Sequence, residues 1–400
     1  MSTPTLSARL ASAPHRLAFL AGSLQIVLAM LWWLAVLVAR HLGIAIEPAL
    51  GAGTAHAMLM LYGTLPFFIF GFLFTALPNW LETGPVARPR YLATLAPMAL
   101  GALPLYPGLY LPGLALIALL GLATGWAIGL AGLADRLRAS RLADTLHARL
   151  ALLAMTLGWL GLLALLAGLA GGQQTLVSLA ADLGIWGFLT PLFLVVCHRM
   201  IPFFTARVVA NYVTIRPNWT LKVMVAACLA HGALAATGLP QWTWLVDLPL
   251  AGLTVWLSTR WGIARSFGVR LLAMLHIGFV WAGLAFVLFA FDSLLWWFDA
   301  DLGLAPLHVL AIGCFGSLLV GMASRVSLGH SGRKLEADNF TWALFWLVQV
   351  ASLVRMLPEL IDAPYGLVAV SAGLWLLAFV PWAARYAPYY WRPRADGRPG

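Results

Sequence analysis

Histidines carry most of the chemistry that this sequence offers, because several of them lie inside long apolar runs. Imidazole binds haem iron and copper, and a polar side chain in lipid is costly enough to be a functional candidate by default. A hydrogen bond between neighbouring helices is the alternative for each of them. Histidines within or at the ends of apolar runs are His56, His198, His231, His276, His308 and His330. We expect His15, His41 and His147, in arms or loops, to be solvated or interfacial.

Membrane-spanning helices must position these histidines. The 400 residues are 62% hydrophobic and only 10% charged, with a mean hydropathy of +0.90. Soluble domains carry about 25% charged residues, so a soluble enzyme is excluded. Lipid cannot satisfy free backbone groups, so every span is a helix. With spans of about 20 residues, about twelve runs qualify. They cover approximately 17–39, 54–77, 91–106, 109–133, 148–170, 176–200, 219–238, 242–259, 268–291, 304–328, 340–357 and 364–386.

These runs predict one membrane domain over residues 1–400, with a short cytoplasmic arm (1–16) and a basic cytoplasmic tail (387–400). No cleavage pattern follows the first run, so we expect it to be retained. The three cysteines lack CxxC spacing and predict neither a disulfide nor a zinc site. No P-loop, acidic-paired GxGxxG or HExxH motif supports an ATP-driven pump or a metalloprotease.

The basic residues predict the topology. With twelve spans and both termini in the cytoplasm, all 24 Lys and Arg residues except Arg40 and Arg355 fall on the cytoplasmic side. This agrees with the positive-inside rule, and an odd number of spans would spoil it. The net charge of +10 therefore reports topology, and no nucleic-acid partner is expected.

Depth along the helices predicts two groups of histidines. His56 and His308 each lie in the first turn of a span that starts at the outer face, so the pair could hold a haem or form half of a metal site. Arg40 and Arg355 share that face and could pair with the haem propionates; interfacial snorkelling is the alternative. His231 could join the pair.

The second group lies toward the cytoplasmic side and would suit copper or another metal that imidazole favours. Its members are His198, His276 and His330. Asp182 and Asp247 lie one to two turns inside the outer boundary, as part of a proton path or as polar helix starts.

Several motifs resemble those of the NnrS family, from the second span to the tenth. The most specific is Arg325-Val-Ser-Leu-Gly-His-Ser-Gly-Arg333. The others are His56-Ala-Met-Leu-Met60-Leu-Tyr-Gly63, Phe70-Gly-Phe-Leu-Phe-Thr-Ala-Leu-Pro-Asn-Trp80, Arg199-Met-Ile-Pro-Phe-Phe-Thr205, Leu275-His-Ile-Gly278 with Trp281, and His308-Val-Leu-Ala-Ile-Gly-Cys-Phe-Gly316. The resemblance implies a bacterial inner-membrane protein that contains haem and copper and is linked to nitric oxide, denitrification and nitrosative stress. His56, His276, His308 and His330 match the family motifs.

A looser likeness is to haem–copper oxidases and nitric oxide reductases, which have imidazole ligands on spans two, six, seven and ten. Spans two, six and ten are the second members of three successive groups of four, as a pseudo-threefold bundle requires. This chain lacks the adjacent histidine pair on span seven and the His-Pro-Glu-Val motif on span six. One haem with one copper fits this ligand count better than a two-haem site.

The leading hypothesis is a haem–copper membrane protein that reduces or detoxifies nitric oxide with electrons from an unidentified donor. His56 and His308 would hold haem b, and His276 and His330, with His198, would hold copper. One alternative is a non-enzymatic haem or copper carrier or sensor. Another is a proton-coupled transporter in which the histidines and aspartates relay protons.

Overall fold

A computed structural model describes residues 5–361, 364 and 366–397, and this part of the chain is helical without any strand. Ten helices are long and apolar enough to cross a membrane, so the protein is a multi-pass membrane protein. Two shorter helices, α3 and α8, complete a set of twelve long helices. In chain order the twelve are α1 Pro14–His41, α2 Ala52–Trp80, α3 Arg88–Ala102, α4 Pro112–Ala139, α5 Leu146–Gly171, α6 Gln174–Val208, α7 Asn218–Ala236, α8 Trp244–Arg260, α9 Arg270–Phe298, α10 Ala305–His330, α11 Asn339–Leu360 and α12 Gly366–Trp391.

Each of the twelve predicted runs corresponds to one of these helices, but α3 and α8 are short. Helix α3 has 15 residues and α8 has 17, whereas a straight span of the hydrocarbon core needs about 20. The helix within the predicted run 91–106 ends at Ala102, just before Pro104, because proline has no backbone N–H with which to continue the helical hydrogen bonds. A separate four-residue helix, Leu105–Gly108, follows it.

The described residues form two compact units. The first unit comprises Met1–Leu192, His330–Arg333 and Ala383–Gly400, and the second comprises Phe193–Gly329 and Lys334–Trp382. Helix α6 therefore contributes its first part to one unit and its second part to the other. The expectation of a single membrane domain stays a prediction.

Glycines permit close helix packing in the first unit, as the Gly125-x-x-x-Gly129 spacing of α4 suggests. A Cβ atom on Gly125 would lie 2.4 Å from the carbonyl oxygen of Thr94 on α3. A Cβ atom on Gly129 would lie 2.4 Å from the Phe70 ring of α2. Both distances are too short for real atoms, so larger residues at these positions would push the helices apart.

Among the residues that the structure describes, three helices contain a π-helical segment in which the backbone takes a wider turn. The segments are Leu59–Thr64 in α2, Leu183–Leu189 in α6 and Val309–Gly316 in α10. These helices are the second members of the three successive groups of four. Such interruptions are rare and frequently lie at functional sites. Each segment begins within three residues after a polar side chain of interest, namely His56, Asp182 or His308.

Candidate functional site

Within the first unit, His56 lies on α2 just before the π-helical segment, and its ring is stacked on a tryptophan of α1. The ring centroids of His56 and Trp33 are 4.5 Å apart, with an angle of 19° between the ring planes. The histidine is half-buried. The stacking restricts the orientation of the imidazole, as neighbouring contacts do for histidines that bind a metal.

Within the second unit, His308 lies in the first turn of α10, where the backbone determines which ring nitrogen carries the proton. His308 Nδ1 is 2.9 Å from the carbonyl oxygen of Leu304. A carbonyl oxygen only accepts, so Nδ1–H donates, and in the neutral ring Nε2 carries the lone pair. Metal-binding histidines commonly donate their other ring N–H to such a partner. His308 therefore has the tautomer expected of an iron ligand.

The two arginines of the predicted haem site differ in their surroundings. Arg40 is exposed at the end of α1. Arg355 on α11 is only 5% exposed, and its Nη1 donates to both carboxylate oxygens of Glu359, at 2.6 and 2.7 Å. The ion pair joins residues four apart on one helix. Arg355 thus already has a carboxylate partner. Its guanidinium is neither exposed to solvent, as snorkelling would require, nor without a counter-ion, as a group reserved for a propionate would be.

His198 and His276 are completely buried in the second unit, and each ring forms a hydrogen bond with a threonine. His198 Nε2 is 2.8 Å from Thr220 Oγ1 on α7, and the Thr220 hydroxyl donates to the carbonyl of Pro217. A hydroxyl has a single hydrogen to donate. His198 Nε2–H is therefore the donor to Thr220, and the lone pair of the neutral ring is at Nδ1.

The same reasoning applies to His276 on α9. Its Nε2 is 3.3 Å from Thr205 Oγ1 on α6, and the Thr205 hydroxyl donates to the carbonyl of Ile201. Nε2–H is therefore the donor, and Nδ1 carries the lone pair. His276 Nδ1 is buried and has no hydrogen-bond partner among the described residues. An unsatisfied buried polar atom costs about 1–3 kcal/mol. A metal ion bound at Nδ1 would satisfy it.

The predicted copper ligands His198 and His276 have different hydrogen-bond partners within the second unit. His198 and Thr205, the partner of His276, are seven residues apart on α6, which places them about 10 Å apart along the helix axis. His330 belongs to the first unit, at the end of α10. No group of three or more His, Cys, Asp or Glu side chains within residues 5–361, 364 and 366–397 is arranged to hold a metal ion. The assignment of one copper ion to all three histidines stays a prediction.

Two histidines that we expected to be solvated or interfacial are buried, and for them that expectation was wrong. His15 is 5% exposed and His147 is 3% exposed, whereas His41 is exposed as expected. Because α1 begins at Pro14, His15 lies in the first helical turn instead of in an arm, and its ring packs against Phe19 and His330. Proline is favoured at the first position of a helix, so Pro14 was the signal in the sequence.

A histidine and an aspartate form a buried pair between α7 and α8. His231 Nδ1 is 2.8 and 3.0 Å from the two carboxylate oxygens of Asp247. Their exposed fractions are 5% and 0%, and Phe289 packs edge-on against the imidazole at 5.1 Å between ring centroids. The carboxylate orients the ring and can share its proton. Intramembrane pairs of this kind are candidates for a proton relay.

The fold and these sites define the class of the protein. It is a multi-pass helical membrane protein with imidazole groups buried within its spans. The family model described as NnrS protein matches residues 9–394, and the chain belongs to the NnrS family. The match includes all twelve helices, which confirms the resemblance noted in the motifs. No curated protein matches the chain.

Proposed function

We propose that this protein binds haem b and copper in the bacterial inner membrane and acts on nitric oxide, either reducing it or removing it. Membership of the NnrS family over residues 9–394 supports this proposal. When bound, haem and copper would supply redox chemistry and an affinity for nitric oxide. The gas is small and apolar, so it enters from the bilayer without a polar channel.

We further propose that α3 and α8 also span the membrane, which gives twelve spans with both termini in the cytoplasm. The distribution of basic residues supports an even number of spans, because only Arg40 and Arg355 then fall on the outer side. The tilt and flanking residues of short helices accommodate a modest difference between their length and the hydrocarbon thickness.

For haem, the residues that we propose as axial ligands are His56 and His308. The Trp33 stack on His56 and the Nδ1–H bond from His308 to Leu304 suit iron ligation, because each fixes the orientation of an imidazole. Arg40 and Arg355 remain the proposed partners of the propionates. For Arg355 this role would require sharing the guanidinium with Glu359.

For copper, the buried Nδ1 lone pair of His276 is the observation that carries the proposal. Thr205 fixes the tautomer by accepting from Nε2, so the nitrogen without a partner among the described residues is the one that can bind a metal. His198 presents the same tautomer through Thr220. His198 and His330 are the proposed additional ligands.

Reduction of nitric oxide needs protons: two molecules of nitric oxide, two electrons and two protons give one nitrous oxide and one water. We propose that the His231–Asp247 pair passes protons inward from the outer side. Its hydrogen bond places a proton between Nδ1 and a carboxylate oxygen inside the protein. Asp182, directly before the π-helical segment of α6, is a second candidate for this path.

Optical spectroscopy and metal analysis of the detergent-purified protein test the proposal. The reduced protein is expected to show a six-coordinate haem b spectrum that changes with nitric oxide, and to contain copper. Nitrous oxide in the headspace, produced with an artificial electron donor, would identify a reductase. Binding without nitrous oxide would identify a sensor or carrier. A colourless, metal-free protein after haem-replete expression would refute the proposal and favour a proton-coupled transporter.

A further inference from the structure

A pocket of about 390 Å³ lies in the first unit, where the ends of α2 and α4 meet. One wall is the loop that follows α2 (81–84). The other wall is the last turn of α4 with the loop that follows it (136–142). The volume is within the range of ligand pockets, about 300–1,000 Å³. The pocket is therefore large enough to hold a small molecule or a lipid headgroup.

Hydrogen bonds fix the two walls of this pocket. The hydroxyl of Ser140 donates to the carbonyl oxygen of Leu81 at 2.9 Å, which ties the loop after α4 to the end of α2. The chain reverses at Glu82, whose φ of 52° lies in the left-handed region. The amide of Thr83 then donates to the carbonyl oxygen of Pro78 at 3.0 Å. The backbone thus forms the pocket before any ligand arrives.

Two arginines of the lining, Arg136 and Arg141, give the pocket its positive charge. Within residues 5–361, 364 and 366–397, neither side chain forms an ion pair with a carboxylate. The adjacent Asp135 is bound instead by Arg90 and Arg138, at 3.3 and 3.2 Å. The two guanidinium groups of the pocket therefore have no counter-ion in this part of the chain.

The hydrogen-bond donors of the lining suit a phosphate group. A guanidinium has five N–H donors and binds phosphate as a two-pronged fork. Arg136 uses one donor for the carbonyl oxygen of Gly84, at 3.3 Å, and keeps the others. The hydroxyl oxygen of Thr83 is buried and has no hydrogen-bond partner among the described residues. Glu82 adds one negative charge, so the two arginines leave the lining with an excess of one positive charge.

The position of the pocket favours the phosphate of a lipid over a soluble phosphate. Two membrane-spanning helices end beside it, at Trp80 and Ala139, and tryptophan is enriched at membrane interfaces. Leu142 is 36% exposed and adds an apolar surface to the lining. A phospholipid offers an anionic group joined to apolar chains, whereas inorganic phosphate offers only the charge. Basic pockets between spans on the cytoplasmic side bind anionic headgroups in other membrane proteins.

We propose that this pocket binds the phosphate group of an anionic phospholipid of the cytoplasmic leaflet. Arg136 and Arg141 bind the phosphate oxygens, and Leu142 contacts the apolar part of the lipid. The hydroxyl of Thr83 becomes a further donor when its side chain rotates toward the pocket. The site is independent of haem, copper and nitric oxide, and the proposed topology enters only in the choice of leaflet.

Native mass spectrometry of the full-length protein in detergent tests the site by titration with dioleoylphosphatidylglycerol, an anionic lipid. Dioleoylphosphatidylcholine, which has the same acyl chains but no net charge, is the comparison lipid. The variants are Arg136→Gln, Arg141→Gln and the double variant. Arg138→Gln removes an exposed arginine from the same helix end but outside the lining, and is the matched control. Size-exclusion chromatography checks that each variant is folded.

Each pocket arginine is expected to contribute about fivefold to the affinity for phosphatidylglycerol, so the double variant is expected to bind about 30-fold more weakly. Arg138→Gln is expected to weaken binding less than either pocket variant. Glu82→Gln is expected to strengthen binding, because it removes the negative charge of the lining. Affinity for phosphatidylcholine is expected to be lower and to change little among the variants.

Wild-type affinity in the folded double variant would overturn the inference. An equal loss in Arg138→Gln would also overturn it, because it would indicate a diffuse effect of surface charge. Displacement of the lipid by an excess of inorganic phosphate would overturn the lipid as the source of the phosphate group. Retention of the lipid under the same conditions would support it. Haem content and the response to nitric oxide are expected to be unchanged in the double variant, so this site and the proposed function fail separately.

Discussion

Removing the buried pair between His231 and Asp247 is expected to destabilise the protein by an amount that a double-mutant cycle can measure. The change consists of His231→Ala, Asp247→Ala and the combination of both. Each single substitution leaves the other side chain of the pair buried without this hydrogen bond, so each is expected to destabilise the protein. The double variant is expected to be more stable than the sum of the two effects implies, because no partner is left behind.

The structure sets the size of this coupling. Breaking a buried ion pair in a soluble protein costs about 3–5 kcal/mol, whereas hydrogen bonds between membrane helices average about 0.6 kcal/mol and reach about 1.7 kcal/mol. Both partners here are buried, with nitrogen–oxygen distances of 2.8 and 3.0 Å, which favours the upper part of the membrane range. Helices α7 and α8 adjoin in sequence, so the unfolded chain in a micelle retains some of the contact. The expected coupling is about 1–2 kcal/mol.

Unfolding by dodecyl sulfate in mixed micelles, followed by tryptophan fluorescence, provides the free energies for the cycle. A parallel cycle pairs His231→Ala with Thr259→Ala, an exposed residue on the same helix as Asp247. That control cycle is expected to be additive within about 0.3–0.5 kcal/mol. Additivity of the His231 and Asp247 substitutions within the same error would refute the pair as a stabilising interaction.

Two further predictions concern packing and topology. Gly161→Ala is expected to destabilise the protein by about 1–3 kcal/mol, because the new Cβ would lie 2.3 Å from the Tyr62 hydroxyl. Gly171→Ala on the same helix, whose Cβ would meet nothing closer than 3.5 Å, is the control in a thermal unfolding assay; equal midpoints for the two variants would contradict the packing. A cysteine at Glu47 is expected to react with an impermeant thiol reagent on intact spheroplasts, and a cysteine at Arg141 only after permeabilisation, with little background because the three native cysteines are buried. Labelling of both from outside would contradict the topology.

The sequence was sufficient to predict the helices, because lipid imposes a single solution on apolar runs. Long apolar stretches must be helical to satisfy their backbone groups, and each of the twelve predicted runs lies on a helix. The lengths of α3 and α8 were less predictable. Pro104 interrupts one predicted run, and the extent of a helix near a proline depends on local backbone geometry that hydropathy does not report.

The candidate site was predicted only in part, since burial and tautomer depend on neighbours from distant parts of the chain. The sequence indicated that His276 would matter, but its unsatisfied Nδ1 follows from Thr205 on another helix. The contact between His15 and His330 requires α1 and the end of α10 to meet in the first unit, which periodicity does not reveal. The π-helical segments after His56 and His308 could not be predicted from the sequence either, because their residues follow ordinary helical patterning.

The most direct test of the account is the optical spectrum of the reduced, purified protein before and after nitric oxide, with His308→Ala and His41→Ala beside the wild type. The account predicts a six-coordinate haem b spectrum that nitric oxide alters in the wild type and in His41→Ala. It predicts a loss of most haem from His308→Ala. If His308→Ala and the corresponding His56→Ala variant both kept as much haem as the wild type, the assignment of the haem ligands would be contradicted. Absence of any haem from the wild-type protein after haem-replete expression would contradict the central claim.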